Sequence, residues 1–226
     1  MTTATSASRD AADLTLDELR VELAPAIADA AVFDGWSDAA LVSAAELGGI
    51  DPDVARLAYP GGAMDMIAAW IASIDRAMAE VLPPEQLAAM KIRERIRSLI
   101  QARLVAITGR EEALRRALAI MAMPQNVLRA GKLGWASADI MWRLAGDTAT
   151  DYNHYTKRAI LASLYTGTLA VFASDESEGK AETRAFLDRG IDGVMKFEKF
   201  KAQLLRPSEE RFSVARFLGR LRYPVR

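Results

Sequence analysis

From Leu16 onward the apolar residues of this chain recur three and four apart, a spacing that fits helices with one buried face. Leu16, Leu19, Leu23, Ile27 and Ala30 open the pattern, and Ile92, Ile96, Leu99, Ile100, Arg103, Leu104 and Ile107 repeat it more broadly. Phe186, Leu187, Ile191, Val194 and Phe197 carry it to the last long segment. The expected fold class is therefore all-α. With 226 residues the chain is long enough for one sizeable domain, or a small domain fused to a larger one.

Breaks in the pattern place the helices. Pro25 kinks the first helix or marks its true start, and Gly35 ends it. Ser37 caps a second helix to about Leu47, Gly48–Gly49 makes a tight turn, and Asp51–Pro52 starts a third that ends near Ala58. Tyr59-Pro60-Gly61-Gly62 separates it from a fourth helix through about Val81. After Pro83–Pro84 a fifth helix sets Lys91, Arg93, Arg95 and Arg97 against its apolar face. That cluster is a solvated face or, on the sharper reading, a surface for an anionic lipid or a partner. Leu114–Met123 forms a sixth helix stopped by Pro124, and a seventh runs to about Ala145. An eighth follows the Gly146–Asp147 turn, from about Thr150 to Ala173, and a ninth spans about Ala181 to Lys201. The later eighth helix is apolar on nearly all sides, as expected of one buried by neighbours or another subunit. Gly190 and Gly193 inside the ninth point to close helix–helix approach.

Helix, tight turn, short helix and long helix resembles the N-terminal helix-turn-helix unit of TetR-type regulators. That resemblance implies a homodimer formed through the last two long helices. It also raises DNA binding, which the charges oppose. Asp34, Asp38, Glu46, Asp51 and Asp53 face the lone base Arg56, whereas affinity for phosphates comes mainly from Lys and Arg. The expectation is a helix-turn-helix in shape that binds no nucleic acid.

Chemistry-bearing motifs are sparse. Cysteine is absent and His154 is the single histidine, which excludes disulfides, thiolate sites and multi-histidine metal sites. Asp151-x-x-His154 is half of a carboxylate–histidine metal motif with no second histidine to complete it. No phosphate loop, dinucleotide fingerprint or nucleophile elbow occurs. The reading is a protein without cofactor or metal that is not an enzyme. No apolar run reaches the roughly 18–20 residues of a membrane span; Ser163, Thr166 and Thr168 interrupt the nearest, Ala159–Ala173. Residues 1–15 lack the apolar core of a signal peptide and read as a disordered lead, so the expected location is the cytoplasm.

One block is distinctive. Met141–Tyr165 reads MWRLAGDTATDYNHYTKRAILASLY, and LAIMAMPQN stands upstream at Leu118–Asn126. The AGD-x-(S/T)-T-D-(F/Y)-N-x-Y-T-(K/R)-R run within it closely resembles the ninth Coq protein family of ubiquinone biosynthesis, in a bacterial-type member. The resemblance is strongest from Arg116 to Thr168. It implies a TetR-like, lipid-binding accessory protein that docks on the membrane. Such a protein presents an isoprenoid quinone intermediate to the demethoxyubiquinone hydroxylase, which it binds directly. A ligand-responsive TetR-type regulator and a general lipid carrier are the alternatives.

For the lipid, the resemblance implies an apolar site among the helices, with Leu118, Met121, Met123, Met141, Leu161, Leu164, Tyr165 and Val194 as candidates. Met195 belongs to the same set of adaptable methionines. For the partner, the candidates are Asp139, Met141, Trp142, Asp151, His154, Tyr155 and Arg158, on the helical hairpin. Trp142 and Tyr155 capping the hairpin's own core is the competing reading. The family motif usually carries Trp where this chain has His154, which removes apolar area.

The tail changes character again. Phe212, Val214, Phe217, Leu218 and Leu221 sit among Arg211, Arg216, Arg220, Arg222 and Arg226. From the pattern this is an interfacial anchor or an ordinary docking helix. The resemblance favours the membrane, with Phe212, Val214, Arg216, Phe217, Leu218, Arg220 and Leu221 in contact with its inner face. The chain thus divides into a lead (1–15), a helix-turn-helix-like unit (16–62), a helical lipid-binding and dimerisation domain (63–205) and an amphipathic tail (206–226).

Overall fold

A computed structural model describes residues 14–147 and 152–205, with side chains described at 14–147 and 154–194. The described residues form helices α1 (Leu16–Asp34), α2 (Asp38–Leu47), α3 (Pro52–Ala58), α4 (Ala63–Val81) and α5 (Pro84–Ala88). They continue as α6 (Ile92–Ile107), α7 (Glu111–Met121), α8 (Val127–Leu144), α9 (Tyr152–Ser174) and α10 (Ala181–Leu205).

Local chemistry sets the first boundaries. Thr15 and Glu18 form a reciprocal capping box at the start of α1. Pro25 therefore lies inside one helix and does not begin it. Ser37 caps α2 by accepting from the Ala40 N–H, and Asp51 accepts from Asp53 N–H at 2.8 Å with Pro52 in the first turn of α3. Gly62, at φ +59°, turns the chain into α4 in a conformation that L side chains resist.

α1 packs on α2, α3 and α4, α4 packs on α6 and α8, and α9 lies against α7, α8 and α10. One apolar cluster runs through all of these, so α1–α3 share a core with the rest. Trp36 joins the two regions. It donates from its indole N–H to the Ala113 carbonyl of α7 at 2.9 Å and meets Trp70 of α4 at 5.2 Å between ring centroids.

The three arginines of the basic cluster at the start of α6 bond within the fold. Arg93 pairs with Asp192, Arg97 donates to Asp188 at 2.8 Å, and Arg95 donates to the Met90, Ala145 and Ala88 carbonyls. These arginines fasten α10 and the end of α8 to α6, while Lys91 stays exposed at the helix start. Close approach is confirmed at Gly190, where a Cβ would collide with the Leu164 side chain. At Gly193 a Cβ would meet none of the described residues within 4 Å.

Candidate functional site

Helices α4, α6, α7, α8 and α9 surround a cavity of about 540 Å³. Its wall is mostly apolar: Ile67, Trp70 and Ile74 from α4, Leu114 and Leu118 from α7, and Leu169 from α9. Gly131 and Gly134 of α8 lie on the same wall, and a Cβ at either would meet none of the described residues within 4 Å. The missing side chains on α8 thus leave open space beside the cavity. The size falls in the ~300–1,000 Å³ range usual for small-molecule sites.

A second hollow, of about 400 Å³, opens between α6, the α8–α9 hairpin and α10. Ile96, Ile160, Leu161, Leu164, Ile191 and Val194 line it, and Trp142, Asp147 and Lys157 stand at its edge. The eight lipid candidates are therefore not one site. Leu118, Met121 and Tyr165 line the larger cavity, whereas Leu161, Leu164 and Val194 line the smaller. Met141 lines neither; it is fully buried in the core. Met123 also lines neither, because α7 ends at Met121 and leaves Met123 exposed beyond it. The side chain of Met195 lies outside the described residues.

Between α8 and α9 the distinctive block forms a lock. Arg158, only 2% exposed, donates to Asp139 at 2.6 Å and to Asp147 at 3.0 Å. Lys157 donates to the other oxygen of Asp147 at 2.7 Å, and Arg143 bonds the second oxygen of Asp139 at 2.8 Å. Burial works to raise both carboxyl pKa values, but the guanidinium and ammonium bonds outweigh it, so both lie below the ordinary carboxylate range. Trp142 donates its indole N–H to the Lys157 carbonyl at 3.0 Å, with the Lys157 ammonium 5.4 Å from its ring. The AGD and KR elements of the motif meet here, and their joint effect is to fix the angle of the hairpin.

The lock decides which partner candidates reach the surface. Arg158 and Met141 do not: one is buried in the ion-pair cluster and the other in the apolar core, so both leave the partner set. Asp139 and Trp142 are half-buried and engaged across the hairpin. Tyr155 remains 62% exposed, its ring centroid 6.1 Å from that of Trp135 in a tilted contact and 5.1 Å from that of His154 in an edge-on one. Asp151 lies outside the described residues, as does the whole tail from residue 206, including every membrane candidate.

Trp135 escaped the sequence analysis. The available signal was its seven-residue spacing from Leu128, which puts both on one side of α8, two turns apart. Leu128 is 83% exposed, with Met123 and Val127 also exposed beside it. An apolar, aromatic strip thus runs along the outside of α8 to Tyr155.

Residues 127–198 match the COQ9 family model, a span that contains α8, the lock and α9. Ubiquinone biosynthesis protein COQ9, mitochondrial, of Rattus norvegicus is 30% identical over 71% of this chain and 54% of its own length. The Homo sapiens protein of the same name is 29% identical over 71% of this chain and 52% of its own length.

The chain belongs to the COQ9 family.

It spans about half the length of the curated COQ9 relatives it matches. The Drosophila melanogaster COQ9 match extends further, at 25% identity over 86% of this chain and 60% of that protein. Among solved structures, a TetR transcriptional regulator from Nitrosomonas europaea covers 80% of this chain and 98% of its own, with a TM-score of 0.61 and 20% identity. That likeness establishes the fold: an all-α, TetR-like bundle in a COQ9-family chain.

In the helix-turn-helix of this COQ9-family chain, Arg56 is fully engaged. It donates to both carboxylate oxygens of Asp38, at 2.8 and 2.9 Å, and to Asp53 at 2.7 Å. Leu57 and Leu47 are exposed beside these charges. Among the described residues no cluster of three or more His, Asp or Glu side chains could hold a metal ion. None of the described helices is long and apolar enough to cross a membrane.

Proposed function

We propose that this protein is a non-catalytic accessory factor of ubiquinone biosynthesis that binds an isoprenoid quinone intermediate and presents it to the demethoxyubiquinone hydroxylase. The observation that carries the reading is the 540 Å³ apolar cavity, walled in part by α8 and α9 within the COQ9 segment. An isoprenoid chain in water costs ~0.8 kcal/mol per methylene, and an apolar cavity removes that penalty while the headgroup is handed on. Docking of the hydroxylase is assigned to the strip from Leu128 through Trp135 to Tyr155, where exposed aromatic and aliphatic groups adjoin the charged lock. The tail, residues 206–226, is assigned to the inner face of the membrane on its basic amphipathic composition. Homodimer formation through α9 and α10 is part of the same proposal.

Deletion of the gene followed by quantification of quinones tests the role. The expected result is less ubiquinone and accumulation of a precursor lacking the last ring hydroxylation. Normal ubiquinone with no precursor would overturn it.

A further inference from the structure

The larger cavity reaches the surface beside the turn that joins α7 to α8. Of its lining residues, Ala122, Val127 and Gly131 at that turn and Ser163 and Thr166 on α9 are exposed, so its mouth lies between the turn and α9. Backbone N–H groups close the turn, Met123 donating to the Ile120 carbonyl and Asn126 to the Met123 carbonyl at 2.8 Å. The Asn126 side chain adds a bond to the Ile120 carbonyl, also at 2.8 Å. This compact corner leaves Met123, Val127 and Leu128 exposed together at the rim of the mouth. A cluster of large apolar side chains in water marks a surface that something covers.

The charge behind the corner fits a membrane. From Ala113 to Ala138 the chain has no acidic residue and four bases, Arg115, Arg116, Arg129 and Lys132. Glu112 pairs with Arg115 and Arg116, and Asp65 pairs with Arg129, so four bases less two acids leave two positive charges in excess. An apolar tip backed by cations suits an anionic bilayer: the tip enters the acyl boundary and the cations meet lipid phosphates. We infer that the α7–α8 corner is a membrane-inserted portal. Met123, Val127 and Leu128 enter the bilayer surface, and an apolar ligand passes between the corner and α9 into the cavity without crossing water. The inference rests on the lipid-binding reading above and adds the route of entry, together with a membrane contact separate from the tail.

Because the chain has no cysteine, a single introduced thiol carries a fluorophore to a chosen position. The full chain is labelled with the polarity-sensitive nitrobenzoxadiazole group at Met123→Cys, at Phe217→Cys in the tail, or at Val81→Cys. Val81 is exposed at the opposite end of α4 from Asp65 and serves as the control. With phosphatidylcholine–phosphatidylglycerol vesicles, emission from the Met123 position is expected to shift to the blue and to be quenched by nitroxide-labelled lipid. The Val81 position should show neither effect. A response at Phe217 with none at Met123, or equal responses at Met123 and Val81, would overturn the portal while leaving the lipid-binding reading standing. Met123 lines neither hollow. Lipid-stripped Met123→Asp should therefore keep the parent's affinity for decylbenzene in vesicle-free equilibrium dialysis, while loading of the same probe from vesicles slows about tenfold. Loading at the parent's rate would also overturn the portal. A parent chain that takes up no decylbenzene by either route would remove the lipid-binding reading and the portal together.

Discussion

Replacing Gly134 with leucine separates an open cavity from a solid core, because the two give opposite signs. Gly134 lies in the interior of α8 on the cavity wall, and a Cβ there would meet none of the described residues within 4 Å. Leucine in place of glycine improves helix propensity by about 0.8 kcal/mol. Burying part of its side chain against Ile74, Leu114 and their neighbours adds about 1–2 kcal/mol. Lipid-stripped Gly134→Leu should therefore be more stable than the parent by about 2–3 kcal/mol, a rise in Tm of roughly 4–12 °C. The same side chain takes up space that the ligand needs, so co-purified lipid should fall. Differential scanning calorimetry on stripped protein and lipid extraction from unstripped protein give the two readings. A Tm that drops by the equivalent of about 1–3 kcal/mol would indicate overpacking of a filled interior and refute the reasoning. Unchanged lipid content in a stabilised variant would refute the location of the site.

Other consequences follow from the lock and the surface. Arg158→Met removes the buried cation that Asp139 and Asp147 share, leaving only Arg143 and Lys157 to pair with them, and should cost about 3 kcal/mol in urea unfolding. Because both carboxyl pKa values are depressed by folding, their contribution is complete above the unfolded value near 3.9 and is lost as pH falls below it. Stability of the parent should thus decline below about pH 4, and much less so in Arg158→Met; parallel acid profiles would contradict the lock. Tyr155→Ala should weaken capture of the hydroxylase with little change in Tm, since the ring is exposed. Trp142→Ala should also lower stability, because it removes the indole bond to Lys157, so a Tm equal to the parent would overturn that placement. Fluorescence anisotropy with labelled duplex DNA should reveal no salt-dependent nanomolar binding, and its detection would restore a regulator.

What the sequence could reveal was local. Ser37, Asp51–Pro52 and the Gly48–Gly49 turn carry their own instructions: α2 starts after Ser37 and ends at Leu47 before the glycine pair, and α3 starts at Pro52. Helix α5 was missed because five residues between a proline pair and the next cap hold too little periodicity to register. The start of α7 at Glu111 was missed because Arg110 offers no side-chain cap. The site was less legible still. Leu161 and Leu118 look alike as apolar helix residues, and only the packing of α9 between its neighbours sends them to different hollows. Arg103 was visible as a charge on an apolar face, yet its partners Asp75 and Ser137 lie 28 and 34 residues away. The AGD and KR elements were recognisable as a motif, but their bonding to one another depends on a hairpin geometry no spacing encodes.

Mass spectrometry of the lipid that leaves the purified, unstripped protein bears most directly on the account. A quinone or quinone precursor with an isoprenoid tail, near one equivalent per chain, is the predicted result. Protein that emerges empty, or that carries only phospholipid, would contradict it.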